Sequence, residues 1–274
     1  MLLLTGHAND GHCRCQRLSR VSRQQSGVFG EGGRRVTEAE WLMCENPLAP
    51  LAFVAARATD RKRRLFLCAC CARVLEGTPT HRRFFRGDYP GCFQKLERAL
   101  SVVEQFAEGF VGSDALAEAR RDAEDSVYVP PSFDYGGESG LDYEAAAVVA
   151  VAVEHPVAED VIAACWRATD SQSAPTSGGE GSRRTEEARW QAMVLRDVFG
   201  DPFRQIAFSP QGRTSTAVSL AAQMYQSRDF GAMPILADAL QDAGCDAEEV
   251  LAHCRGPGLH VRGCWVVDLV LGKE

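Results

Sequence analysis

Apolar and polar residues alternate with a helical period through most of the chain, starting at Val36. Thr37–Glu40 has the Thr-x-x-Glu form of a capping box, so it predicts a helix start just ahead of Trp41. Asn46 followed by Pro47 predicts a second start, because asparagine caps a helix and proline is tolerated in its first turn. Helices are therefore expected from the first residues of the periodic region.

The same pattern continues to the end of the sequence, where apolar spacing, caps and glycine stops delimit each segment. Further helices are predicted over 60–76, 91–108, 113–127, 143–154, 157–168, 185–198, 215–227, 229–243, 246–254 and 261–271. Only Arg204–Phe208 has a strand-like composition. The sequence thus predicts an all-α protein, an irregular multi-helix bundle of about ten helices.

Residues 1–35 have a different composition, rich in Gly, Arg, Ser and Gln and without an apolar period. They predict a disordered N-terminal extension. A valine codon can also start translation in bacteria, which gives a second hypothesis, that the protein begins at residue 36. Segments 130–140 and 170–182, rich in turn-forming residues, predict flexible loops within a single helical domain over 36–274.

The predicted helix 60–76 is apolar on nearly every side, as is typical of a centrally buried helix. Cys68 and Cys71 are three residues apart and share one face of it. Two thiolates on one turn can bind a metal, but structural zinc needs four ligands, usually from turns or loops. Packing of cysteine as a small core residue is therefore favoured.

The C-terminal segment sets His253 and Cys254 before a Gly-Pro-Gly turn and His260 and Cys264 after it. The composition suggests zinc, but the spacing matches no standard finger or ribbon. Adjacent helical residues also diverge by about 100°, which separates His253 from Cys254. We therefore expect no metal or other cofactor, and a closing helix packed on the core. Metal binding is the alternative, with the candidate ligands Cys68, Cys71, His253, Cys254, His260 and Cys264.

Charge is unevenly distributed: the formal net charge is −7, yet the first 86 residues are basic and the remainder is acidic. The basic run Arg61–Arg64 lies in the first turn of a predicted helix, where the helix dipole favours acids. These charges should therefore have partners, either acids of the predicted helix near 118–125 or an acidic protein. The candidate interaction residues are Arg61, Lys62, Arg63, Arg64, Arg82, Arg83 and Arg86. Nucleic acid is not expected, because aromatic residues for base stacking are not interleaved with the basic ones.

No phosphate-binding loop, nucleophile elbow or His-Glu-x-x-His motif occurs. There is also no apolar run of membrane-spanning length and no secretory signal pattern. Together with the uneven charge and the long predicted loops, these absences predict a non-catalytic cytoplasmic protein that acts as a protein–protein interaction module. The alternative is a metal-binding or thiol-based regulatory protein that uses the C-terminal Cys/His group.

Four separated blocks, 37–41, 60–74, 195–204 and 235–272, resemble a large paralogous family of planctomycete bacterial proteins. Members of that family begin Met-Thr-Glu-Ala-Glu-Trp, so the resemblance implies a start at residue 36. It covers 36–274 and implies lineage, without any catalytic residues.

Overall fold

The computed structural model confirms the all-α class. It describes residues 36–55, 57–76, 92–127, 162, 165–166, 180–206 and 208–273. In that part of the chain the α-helices are α1 (Glu38–Met43), α2 (Leu48–Ala55), α3 (Asp60–Glu76), α4 (Cys92–Ala107), α5 (Ser113–Val127), α6 (Glu180–Phe199), α7 (Ser215–Ser227), α8 (Met233–Asp242), α9 (Glu248–Arg255) and α10 (Trp265–Leu271). None of these helices has the length and apolar content needed to cross a membrane.

The predicted helix starts are formed by the residues that the sequence indicates. Thr37 Oγ1 accepts from the Glu40 amide, and the Glu40 carboxylate accepts from the Thr37 amide, which completes the capping box. Asn46 Oδ1 accepts from the Leu48 amide at 3.0 Å and caps α2. Helix α3 begins at Asp60 as predicted, and most of its apolar residues are buried.

The structure differs from the prediction at several points. Helix α8 begins at Met233 instead of residue 229. Helix α6 begins at Glu180, inside the segment 170–182 that predicts a loop. Residues 204–206 and 208 form no strand, and a 3₁₀ turn follows at Pro210–Gly212. The closing helix begins at Trp265 instead of residue 261. Residues 1–35 and 130–140 lie outside the described residues, as does most of the predicted helices 143–154 and 157–168.

The buried side chains of the described residues form two hydrophobic clusters. The first takes residues from α1 to α6 together with Ile162, Cys165 and Trp166. The second takes residues from α7 to α10. The end of α6 contacts α10 and so brings the two clusters together. The turn after α6 is fixed at Gly200, whose carbonyl accepts from Trp41 Nε1 at 3.0 Å.

Candidate metal site

Four side chains converge where the end of α6 meets the last two helices. Asp197 lies in the last turn of α6, and His253 lies near the end of α9. His260 belongs to the connection between α9 and α10, and Cys264 immediately precedes α10. One ligand atom from each lies within 4.8 Å of all the others, which defines the Asp-His-His-Cys cluster.

The distances within this cluster suit a tetrahedral metal ion. His253 Nε2 lies 3.1 Å from Asp197 Oδ1 and 3.2 Å from Cys264 Sγ. His260 Nδ1 lies 2.8 Å from the same Asp197 oxygen and 3.8 Å from Cys264 Sγ. Zinc bonds of about 2.0–2.1 Å to nitrogen and about 2.3 Å to sulfur give tetrahedron edges of about 3.3–3.6 Å. The measured separations bracket those edges.

The cluster is nearly closed to solvent. The side chains of Asp197 and His260 are 2% and 6% exposed, and Cys264 is fully buried. The side chain of His253 is 20% exposed and provides the route to solvent among the four. A bound ion would therefore be surrounded by protein atoms.

Asp197 organises the cluster through hydrogen bonds. Oδ1 faces both histidines, and Oδ2 accepts from the Val261 amide at 2.9 Å. Burial by itself would raise the pKa of this carboxyl, but the hydrogen bonds from His253 and His260 leave its pKa below the usual range. The carboxylate form is therefore favoured. In addition, the other ring nitrogen of His260, Nε2, is buried and has no hydrogen-bond partner among the described residues.

The Cys264 thiol has a pKa well above its usual range, because it is buried and lies beside Asp197. The amides of Val267 and Val266 oppose this effect by hydrogen-bonding to the sulfur. A protonated, fully buried thiol is a poor nucleophile. A metal ion would deprotonate it directly, as coordination does for thiols in general.

The geometry also differs from that of a Cys-His-Asp catalytic triad. In a triad the histidine uses one nitrogen for the nucleophile and the other for the carboxylate. Here His253 directs the same nitrogen, Nε2, to both Asp197 and Cys264. His260 likewise directs Nδ1 to both. In a metal site the ligand atoms all face one point, and these four side chains have that arrangement.

The structure brings together three of the six metal candidates from the sequence, His253, His260 and Cys264. Cys254 lies on the other side of α9, buried in the second hydrophobic cluster, and burial raises the pKa of its thiol to about 12. Cys68 and Cys71 lie in the first hydrophobic cluster, as core packing predicts. Cys68 Sγ is 4.0 Å from the Leu100 carbonyl.

Sequence reasoning missed the fourth member, Asp197. It is 63 residues from His260, so no local spacing connects the two. One signal was present: Asp197 stands among Val194, Leu195 and Val198, which are all buried. An acid on the inward face of a helix needs a partner, since a buried unpaired charge is costly.

The basic run at the start of α3 has acidic partners inside the protein. Arg61 donates to both carboxylate oxygens of Asp268, at 2.8 and 2.9 Å, and lies 2.9 Å from Glu108. Lys62 Nζ lies 2.5 Å from Asp268. Arg63 and Arg64 pair with Asp60 within the same helix. These acids differ from those near 118–125 that the sequence suggested.

Lys62 makes two more contacts, because its Nζ also donates to the carbonyls of Val198 and Gly263. The side chains of Arg61 and Lys62 are only 13% and 14% exposed. They therefore serve contacts within the protein, and their shared partner is Asp268 of α10. Arg82, Arg83 and Arg86 lie outside the described residues.

Comparison with known protein families, with curated proteins and with solved structures gave no match. A function is therefore inferred from the chemistry of the Asp-His-His-Cys cluster.

Proposed function

We propose that this protein binds a zinc ion through Asp197, His253, His260 and Cys264, and that the ion holds its two hydrophobic clusters together. The observation that carries the proposal is the convergence of four ligand atoms within 4.8 Å in a buried position. The cytoplasm suits this role, since a reducing compartment preserves the Cys264 thiol.

Charge balance supports a divalent ion. Two neutral histidines, one carboxylate and one thiolate together carry two negative charges, which a divalent cation neutralises. Burial of the loaded site then buries no net charge, so the desolvation penalty that a lone buried ion would incur is largely avoided.

The donor types support zinc over the abundant hard cations. Calcium and magnesium prefer oxygen ligands, and Asp197 is the one oxygen donor of the set. Zinc accepts nitrogen, sulfur and oxygen together in four-coordinate sites. Four protein ligands with little access to solvent are typical of structural zinc, whereas catalytic sites keep one position for water.

The position of the cluster supports a stabilising role. Asp197 belongs to the helix that completes the first hydrophobic cluster, while Cys264 contributes to the second. His253 is on α9, next to Cys254 of that second cluster. An ion shared by these ligands would cross-link parts of the chain that are distant in sequence.

Zinc binding by the full chain and by two cysteine variants tests the proposal. Isothermal titration of the apo-protein, prepared with a chelator, should give one zinc per chain. Cys264→Ser should weaken binding by at least tenfold, because the variant lacks the sulfur ligand. Cys254→Ser removes a buried thiol from the neighbouring position and should bind zinc as the wild type does.

Cobalt provides a second readout on the same proteins. Cobalt bound to the wild type and to Cys254→Ser should show the near-ultraviolet charge-transfer band of a thiolate ligand. Cys264→Ser should lack that band. Equal zinc affinity in all three proteins, or no binding by the wild type, would contradict the proposal.

A second candidate function, an interaction module, is supported by exposed apolar side chains on α1 and α6. Met43 and Leu42 are 72% and 49% exposed, and Met193 is 42% exposed. The two helices are neighbours, since Arg196 donates to the carbonyls of Trp41 and Cys44. Exposed methionines suit adaptable binding surfaces.

Site-specific photocrosslinking tests this second candidate. A benzophenone side chain at Met43 should capture one defined partner in native lysate, and the same group at exposed Glu248 should not. Identical product patterns at the two positions would count against an interaction surface on α1.

A further inference from the structure

Trp265 connects the Asp-His-His-Cys cluster to a neighbouring pocket. It follows Cys264 directly, and its indole Nε1 donates a hydrogen bond to His253 Nδ1 at 3.2 Å. The two ring centres are 5.1 Å apart. On the opposite edge of the imidazole, His253 Nε2 faces Asp197 and Cys264. One imidazole is therefore shared between the tryptophan and the proposed metal.

A neutral imidazole has one lone pair in the ring plane and one N–H. The hydrogen bond from Trp265 occupies the lone pair of Nδ1, so the ring proton is on Nε2. A metal at Nε2 needs the lone pair there, which places the proton on Nδ1. Two N–H groups would then face each other across the distance now spanned by the hydrogen bond. The hydrogen bond and metal coordination at Nε2 exclude each other.

We propose that metal binding breaks the Trp265–His253 hydrogen bond and displaces the indole from His253; this rests on the proposed zinc site. The indole packs closely on Gly200, where an added Cβ would lie only 3.1 Å from the indole Cγ, so movement toward Gly200 is restricted. The Gly200 carbonyl is itself held by the hydrogen bond from Trp41.

Trp265 also lines a pocket with a volume of about 310 Å³. Val198, Phe199, Lys62, Asp268 and Leu269 line it together with Trp265. Displacement of the indole changes the shape of this pocket, so occupancy of a nearly closed metal site is transmitted to an open surface feature. Trp265 thus has two arrangements, one hydrogen-bonded to His253 and one displaced from it, and metal binding favours the displaced one.

The coupling predicts a measurable effect on affinity. Wild-type protein must give up one neutral hydrogen bond when zinc binds, whereas Trp265→Phe has no such bond to lose. Trp265→Phe should therefore bind zinc about three- to tenfold more tightly, the factor that corresponds to one typical hydrogen bond. Trp190→Phe, a change of the same size away from the cluster, should leave the affinity unchanged.

Indole N–H signals in nitrogen-15 correlation spectra of the full wild-type chain give a direct test that does not depend on any variant folding. On addition of one equivalent of zinc, the Trp265 signal should shift to the position of a broken hydrogen bond. The Trp41 signal should stay in place, because its acceptor is a backbone carbonyl.

The outcomes separate the two proposals. Zinc binding with an unmoved Trp265 signal and an unchanged affinity of Trp265→Phe would overturn the coupling and leave the zinc site intact. No zinc binding by the wild type would overturn the zinc site and the coupling with it.

Discussion

Adjacent residues of this protein serve different purposes because the helix turns by about 100° per residue. His253 and Cys254 show this most clearly: the imidazole of one faces Asp197, and the thiol of the other is buried in the second hydrophobic cluster. The divergence could be predicted from helical geometry. The direction of each side chain could not, because it depends on which helices pack against α9.

Glu108 is an acid with a buried side chain near the start of α3, and its removal should destabilise the protein. It accepts hydrogen bonds from Arg61, Tyr225 and Lys273, and its side chain is only 2% exposed. Burial tends to raise its pKa, but the bonds from Lys273 and Tyr225 and the charge of Arg61 hold the pKa below the usual range.

Glu108→Gln should lower the free energy of unfolding by about 2–4 kcal/mol at neutral pH, because it leaves partly buried cations without their counter-charge. Since the folded-state pKa is lowered, the stabilisation is present above the ordinary glutamate pKa of about 4.3 and is lost as the pH falls through the lower folded value. Urea unfolding at several pH values measures this.

Glu124→Gln is the matched control for that measurement. Glu124 pairs with Arg120 on the surface of α5, and both side chains are nearly half exposed. Its removal should change the free energy of unfolding by only a few tenths of a kcal/mol. Equal effects of the two variants would mean that Glu108 is not part of a stabilising network.

At the scale of elements, the turn before α10 determines which groups reach Asp197. The sequence predicts a helix from residue 261, but the chain makes a turn through 261–264 in which Gly263 has φ of +95°. This turn presents the Val261 amide to Asp197 and places Cys264 at the helix start. In a continuous helix, the Val261 amide and the Cys264 side chain would not both face Asp197.

Gly263→Ala tests the importance of this turn. A Cβ there would lie 3.0 Å from Leu65 Cδ1, and the positive φ is unfavourable for alanine. We expect a loss of about 2–4 kcal/mol in unfolding free energy, the sum of a backbone cost and a packing cost. Gly244→Ala has a similar φ of +85° and no atom within 4 Å, so it should show the backbone cost alone, about 1–2 kcal/mol.

Helix starts with caps could be predicted because the signal is local. Thr37 and Asn46 cap α1 and α2 through contacts within three residues. The start of α6 could not be placed, because Glu180–Thr185 are all polar or small and lack apolar spacing. The strand-like composition of 204–208 was misleading, since residues 204–206 and 208 are not in a strand and local composition does not determine whether a segment pairs.

At the scale of the whole molecule, several long-range connections join the hydrophobic clusters, and two of them involve residues that the sequence singles out. One is the Asp-His-His-Cys cluster, and the other is the contact of Arg61 and Lys62 with Asp268, some 207 residues away for Arg61. A single sequence does not reveal such pairings, because nothing local links the partners. The candidate ligands and the basic residues could be recognised from the sequence by type. Which of them lie close together could be seen only in the folded structure.

Removal of residues 261–274 should abolish cooperative unfolding. The deletion takes away Val266, Val267 and Val270, which are fully buried in the second cluster, and also Asp268 and Cys264. Loss of several such side chains exceeds the stability of a typical domain. Thermal denaturation followed by circular dichroism should show no sharp transition, whereas deletion of Glu274 alone should leave it unchanged. A sharp transition in the long truncation would contradict the closing role of α10.

X-ray absorption at the zinc edge of the loaded full-length protein is the most direct test of the proposed zinc ligands, since it reports ligand types and distances together. We expect one sulfur at about 2.3 Å and three nitrogen or oxygen neighbours at about 2.0–2.2 Å. Cys264→Ser should lose the sulfur shell, and Cys254→Ser should keep it. A wild-type spectrum without sulfur, or with two or more sulfur ligands, would contradict the assignment of Asp197, His253, His260 and Cys264 as the metal ligands.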